Sequence, residues 1–216
     1  APPARPLWVE FPSDEATFAT DDEYLLGPAL LVRPIVEEGA VTASVYFPHG
    51  IWFDVKDLAV HSGPSSATVS APKEKIPVYQ RGGTIIPRKE RPRRASALMR
   101  DDPFTLSIAL DEDGKAEGTL YVDDEHTMDY RKFTYEAGIL TSRILDPNGK
   151  FRTKSWLERV IILGLKNGPS KITMNSGSET KTLESSFEKS PTSAATKLVI
   201  RKPGLNIAET FTITLH

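Results

Sequence analysis

The sequence contains no cysteine, only three methionines, and no apolar run approaching the roughly 20 residues that a membrane-spanning helix needs. Without cysteine there is no disulfide framework, no thiolate zinc site and no thiol nucleophile, although the compartment stays open. Charge of one sign is also missing: 27 Lys plus Arg stand against 29 Asp plus Glu, a net charge of −2, so nothing global calls for a nucleic-acid or membrane-surface partner. The opening Ala1-Pro2-Pro3-Ala4-Arg5-Pro6 lacks the apolar block of a signal peptide, and the chain is read as soluble. His49, His61, His126 and His216 show no metal-ligand spacing, so no metal site is expected, and no cofactor. There is no G-x-S-x-G, no phosphate-cradling glycine loop and no N-x-[ST] acceptor.

What the 216 residues do contain is punctuation: 17 Pro and 14 Gly separate short runs rich in Val, Ile, Thr, Tyr and Phe, within an apolar content of 39% that suffices for a core. This predicts a mainly β protein with strands including Leu7–Phe11, Ala29–Pro34, Ser44–Phe47, Ile51–Asp54, Pro77–Gln80, Phe104–Leu110, Gly118–Val122, Arg131–Tyr135, Glu158–Leu163 and Thr210–Leu215. Many short strands with turn residues between them suggest sandwiches or barrels. Helix is expected only near the start, where Ser13 or Asp14 can cap one turn and Asp21–Leu26 form another before Gly27-Pro28. A strand followed by a short helix cannot bury both faces of the strand, so the chain reads as a fragment opening on the last unit of something larger. The run Arg88–Arg94, five cations to one anion with Pro92 inside it, is the linker candidate. Asn175–Ala195, rich in Ser, Thr, Lys and Glu, is expected to be a long hairpin or loop region.

Chemistry is sparse. Asp123-Asp124-Glu125 offers the paired carboxylates of acid/base catalysis, but consecutive strand residues face opposite ways, which favours a hydrogen-bonded turn. Asp111-Glu112-Asp113-Gly114 opens like a calcium loop yet lacks the remaining ligand series, and Asp113-Gly114 between apolar runs signals a hairpin. Arg81-Gly82-Gly83 occurs once, better suited to a glycine taking positive φ between strands than to RNA binding. Trp52 next to Phe53 could stack on a sugar, although alternation allows at most one of them to be exposed and core packing is the default for both.

Several blocks carry a resemblance. Arg5–Pro12, Asp22–Val32, Tyr46–Pro48 with Gly50–Asp54, and Ile76–Pro87 resemble, in order and spacing, the C-terminal part of the α-glucosidases of glycoside hydrolase family thirty-one. The stretches Arg93–Ser96, Trp156–Gly164 and Leu198–Asn206 extend the likeness over essentially the whole chain, toward catalytic α subunits that act with a non-catalytic β subunit. Asp123-Asp124-Glu125 departs from that family's usual Asp-Asp-Gly. The resemblance implies the last strand and helix of a (β/α)8 barrel over residues 1–27, a proximal C-terminal β-sandwich over 28–92 and a distal one over 93–216. It implies retaining hydrolysis of α-1,3-linked glucose from N-glycans in the endoplasmic reticulum lumen, by two aspartates upstream of this chain. No position here matches either aspartate, so no catalytic residue is assigned and the substrate-binding residues are unknown; Glu10, at the end of the expected barrel strand, is the nearest candidate. The expected partners are the upstream barrel polypeptide, the β subunit and, through the whole enzyme, glucosylated oligomannose. The alternative reading makes the distal sandwich a binding module for glycan or for the β subunit.

Overall fold

A computed structural model describes residues 2–124, 126–149, 151–190 and 195–216. The chain divides into two compact units, Ala1–Gly82 with Ser190–Ala195, and Gly83–Lys189 with Thr196–His216. The unit change therefore falls at Gly82-Gly83, ahead of the basic run that marks the linker in the sequence. No helix among the described residues is long and apolar enough to cross a membrane.

The first unit holds β1 (Ala4–Arg5), the helical turn α1 (Leu7–Glu10), β2 (Tyr24–Leu26), β3 (Leu30–Val32), β4 (Thr42–Asp54), β5 (Val60–Ser70) and β6 (Val78–Arg81), with the sheet order β1-β2-β3-β6-β4-β5. The strand expected at Leu7–Phe11 is thus a helical turn, and the expected second turn at Asp21–Leu26 ends in β2, so the strand-then-helix end of a barrel is not what these residues form. Burial explains the reversal. Leu7 and Phe11 are buried while Val9 is exposed, a spacing of four that suits one helical face, and Phe11 N–H donates to the Leu7 carbonyl at 3.0 Å. Pro6 precedes the turn with a φ of −57°, a value suited to starting a helix. Asp14 does cap a turn: its side chain accepts from Ala16 N–H at the start of a 3-10 turn, Glu15–Thr17.

Strand β4 fuses two expected strands across a bulge between Phe47 and Gly50. Beyond the bulge Trp52 and Phe53 point to opposite faces of the strand, and both are buried. Opposite it lies Gly63, where a Cβ would fall 2.0 Å from the Pro48 carbonyl oxygen, which only glycine avoids. Leu7, Phe11, Leu25, Leu31, Val45, Phe47, Trp52 and Tyr79 make the core of this unit.

The second unit holds β7 (Thr84–Arg88), β8 (Phe104–Ala109), β9 (Ala116–Asp123), β10 (Met128–Glu136), β11 (Ile139–Ile144), β12 (Leu157–Leu163), β13 (Ile172–Ser176), β14 (Glu179–Thr182), β15 (Glu184–Lys189), β16 (Thr196–Arg201) and β17 (Phe211–Leu215). They run β14-β13-β17-β11-β10-β9-β7-β8-β12-β16-β15 in one ladder, and residues from both of its halves share a single core. The arrangement is sandwich-like. Two pairings are parallel, β12 with β8 and a single bridge between Thr84 on β7 and Glu117 on β9. Asp111–Gly114 is a tight turn with Gly114 at φ 74°, yet β8 and β9 are not hairpin partners, because β7 lies between them. The hairpin signal was local; a strand from earlier in the chain took the pairing. The region Asn175–Ala195 contains the turn of the β13–β14 hairpin and strand β15, with Pro191–Ala194 outside the described residues.

Candidate functional site

Of the acidic candidates, most are structural. Asp124 Oδ1 accepts from His126 N–H at 3.1 Å, Thr127 N–H at 2.6 Å and the Thr127 hydroxyl at 3.0 Å, which closes a turn and holds its carboxyl below the usual range; Glu125 lies outside the described residues. Asp111 Oδ1 accepts from Asp113 N–H and Lys115 N–H in the same manner. Among the described residues no group of three or more His, Asp or Glu could hold a metal ion. The basic run is used internally. Arg93 forks onto Asp102 at 2.6 and 2.9 Å, Arg91 pairs with Glu158 at 2.6 Å, and Lys89 donates to the Met99 and Arg100 carbonyls while lying over the Phe104 ring.

Glu10 sits at the end of α1 between two guanidiniums. Arg5 donates to its Oε1, and Arg81 Nη1 stands 3.9 Å from its Oε2. The Arg81 guanidinium also covers the Phe11 ring at 4.4 Å, and Phe11 contacts Trp52 with ring centroids 6.2 Å apart. Glu10 is therefore a tie between β1, α1 and β6. Trp52 is fully buried and donates its indole N–H to the Pro48 carbonyl at 2.8 Å, so it offers no face to a sugar.

Beside this tie lies a cleft of about 430 Å³ lined by Arg5, Trp8, Phe18, Asp21, Glu23 and Tyr24 among others. Trp8 is 48% and Phe18 57% exposed, large values for such apolar rings. Glu23, by contrast, is buried: Oε1 accepts from Tyr46 N–H at 2.9 Å, while Oε2 has no hydrogen-bond partner among the described residues. Burial pushes its carboxyl up to about 7, the Tyr46 N–H holding it down only in part. The Tyr46 hydroxyl donates to Asp14 at 2.7 Å, and burial together with that carboxylate moves the phenol up to about 12. Sequence reasoning missed Glu23. Its only signal was an acid just before an apolar Tyr24-Leu25-Leu26, indistinguishable there from a helix-start residue.

In the second unit, Asp129 and Arg131 are buried on the inner face of β10, with Asp129 Oδ1 and Arg131 Nε 2.8 Å apart. They line a cavity of about 600 Å³. The sequence did carry a sign of this pair, because Asp129, Arg131, Phe133 and Tyr135 share one strand face and the last two are core residues.

Compared with known proteins, residues 1–86 match the sequence model of the Glycosyl hydrolase family 31 C-terminal domain. Residues 1–86 carry a family 31 C-terminal domain. It is 42% identical to human neutral alpha-glucosidase AB over 225 residues, covering 100% of this chain and 23% of that protein. It is 36% identical to the Arabidopsis thaliana probable glucan 1,3-alpha-glucosidase, covering 99% of the chain and 25% of the relative. The chain thus spans about a quarter of the length of the curated relatives it matches. In three dimensions it superposes on a glucosidase II alpha subunit in its Glc1Man2-bound form with a TM-score of 0.93 at 29% identity, covering 100% of this chain and 26% of that one. It also superposes, at 0.91 and 29% identity over the same shares, on the ER glucosidase II heterodimer of a catalytic subunit and the binding domain of a regulatory subunit.

Proposed function

We propose that this chain is the C-terminal structural part of an α-glucosidase that trims α-1,3-linked glucose from N-glycans in the endoplasmic reticulum lumen, with a non-catalytic β subunit as partner. The observation that carries the reading is likeness along the whole chain, by identity to neutral alpha-glucosidase AB and by fold to the glucosidase II alpha subunit. In it, the segment over residues 1–27 meets a catalytic barrel, and the two compact units, changing at Gly82-Gly83, serve as the proximal and distal C-terminal domains. The two carboxylates of retaining hydrolysis, one attacking the anomeric carbon and one moving the proton, belong to the barrel. This chain supplies neither and is inactive alone.

The N-terminal segment supports the structural role. Trp8, Phe18 and Leu26, the last 42% exposed, lie in or beside the first two dozen residues and leave apolar surface for the barrel to cover, worth roughly 25 cal/mol per Å². Replacing Trp8 and Phe18 by Ser in the full-length enzyme is expected to lower its melting temperature by several degrees, and deleting the enzyme from Arg5 onward to abolish hydrolysis of a chromogenic α-glucoside. A deleted enzyme that stays folded and fully active overturns the proposal.

A further inference from the structure

The cavity in the second unit combines features that a purely structural element does not need. Asp129 and Arg131 are each more than nine-tenths buried, and they stand 2.8 Å apart, yet neither Asp129 Oδ1 nor Arg131 Nε has an aligned hydrogen bond. A buried pair of this kind costs several kcal/mol of desolvation per ion unless its remaining donors and acceptors are satisfied, and an apolar pair of similar volume would serve packing as well or better. Arg131 Nη1 reaches only a long contact of 3.4 Å to the Ser142 hydroxyl, itself donating to the Glu209 carbonyl. The pair lines a recess of about 600 Å³, whose rim includes Phe151, Arg152, Asn206 and Glu209. That volume lies within the range of small-ligand sites.

The chemistry of the lining selects the ligand class. The lining carries two cations, Arg131 and Arg152, and two acids, Asp129 and Glu209, so its formal charges balance and neither an anion nor a cation is favoured. With no metal-holding cluster among the described residues, the two acids are not read as a cation site. What remains is a floor of donors next to acceptors and an aromatic ring at the side. Adjacent hydroxyls, each both donor and acceptor, satisfy a carboxylate and a guanidinium placed side by side, and a ring such as Phe151 packs on the C–H face of a pyranose. Asn206 is already committed, donating to the Thr153 carbonyl at 2.8 Å and accepting from Ala208 N–H at 2.9 Å, which fixes one wall. Gly149 keeps the opposite backbone close: a Cβ there would lie 2.9 Å from the Met128 carbonyl oxygen.

We infer that this cavity is a non-catalytic binding site for a neutral sugar, held by Asp129 and Arg131 on the floor and by Phe151 and Arg152 at the mouth. The choice of an α-1,3-linked glucoside as probe rests on the hydrolase reading, but no residue in the site is assigned to bond cleavage.

The test is titration of the 15N-labelled 216-residue chain with α-1,3-glucobiose, and separately with sodium phosphate and with glycerol. The sugar should shift the amides of Gly149, Phe151 and Ala208 saturably in the millimolar range. Phe151→Ala, which removes a ring at the cavity mouth, should weaken binding about tenfold, and Arg152→Ala about threefold, both with the remaining spectrum unchanged. Should Phe151→Ala disturb the fold, Arg152→Ala decides alone. Phosphate or glycerol saturating the site in place of sugar overturns the assignment, as do absent shifts at 50 mM sugar, a concentration about tenfold above the expected constant. Insensitivity of the shifts to both variants also overturns it. Hydrolysis plays no part in the readout, so failure here leaves the enzyme proposal standing.

Discussion

Glu23 and Asp129 are both buried carboxylates lining clefts, and they are kept in opposite ways. Glu23 has one backbone donor, a neighbouring Asp22, and an orphan oxygen; burial pushes its carboxyl up to about 7. Asp129 has Arg131 beside it, and although burial raises its carboxyl as well, the guanidinium opposes that rise, while burial in turn draws Arg131 down. One site favours the protonated acid through burial; the other sets a carboxylate and a guanidinium side by side. An orphan acid among aromatics is suited to being covered, whereas a paired acid in a polar recess is suited to meeting hydroxyls.

The largest effect should come from breaking the pair. Arg131→Leu leaves Asp129 buried without its cation and is expected to cost about 3–5 kcal/mol in urea unfolding of the chain, and changing both residues to apolar ones should restore most of it. A double variant no more stable than the single one would mean that the residues act separately. Next comes Glu23. Its folded pKa lies above the 4.5 of an ordinary glutamate, so the native state binds more protons than the unfolded state between pH 4.5 and about 7. Stability should therefore fall as pH rises through that window, by up to about 3 kcal/mol, and Glu23→Gln should flatten the dependence. Identical pH profiles for the two proteins would show that Glu23 titrates alike in the folded and unfolded states. The smallest change is Tyr46→Phe, which removes the hydroxyl bond to Asp14 but keeps the backbone donor to Glu23. It should cost about 1 kcal/mol and leave the carboxyl signal of Glu23 titrating near 7 in an NMR pH series.

The β character was legible because strands such as Met128–Glu136 alternate buried and less buried residues with a period of two. Leu7–Phe11 was misread because five residues hold too few periods to separate two from four, and the decisive fact, an exposed Val9, depends on what covers the segment. The fused β4 escaped because Pro48-His49-Gly50 reads as a turn, whereas in the fold it is a bulge matched to Gly63 across the ladder. Likewise Asp113-Gly114 gave a correct turn and a wrong partner, since pairing is decided by β7, more than twenty residues earlier. Glu10 and Trp52 were visible as candidates, and their partners Arg81 and the Pro48 carbonyl give both of them structural work. The Asp129–Arg131 pair could have been found by asking which charged residues fall on an otherwise apolar strand face.

Strand β17, Phe211–Leu215, lies between β11 and β13 rather than at a margin of its sheet. During synthesis the ribosome releases both neighbours long before the strand that separates them. Until then each offers a bare row of backbone donors and acceptors, open to the wrong partner. Pairing in this half is complete only once β17 is available, so the chain during synthesis carries more open strand edge than the folded one.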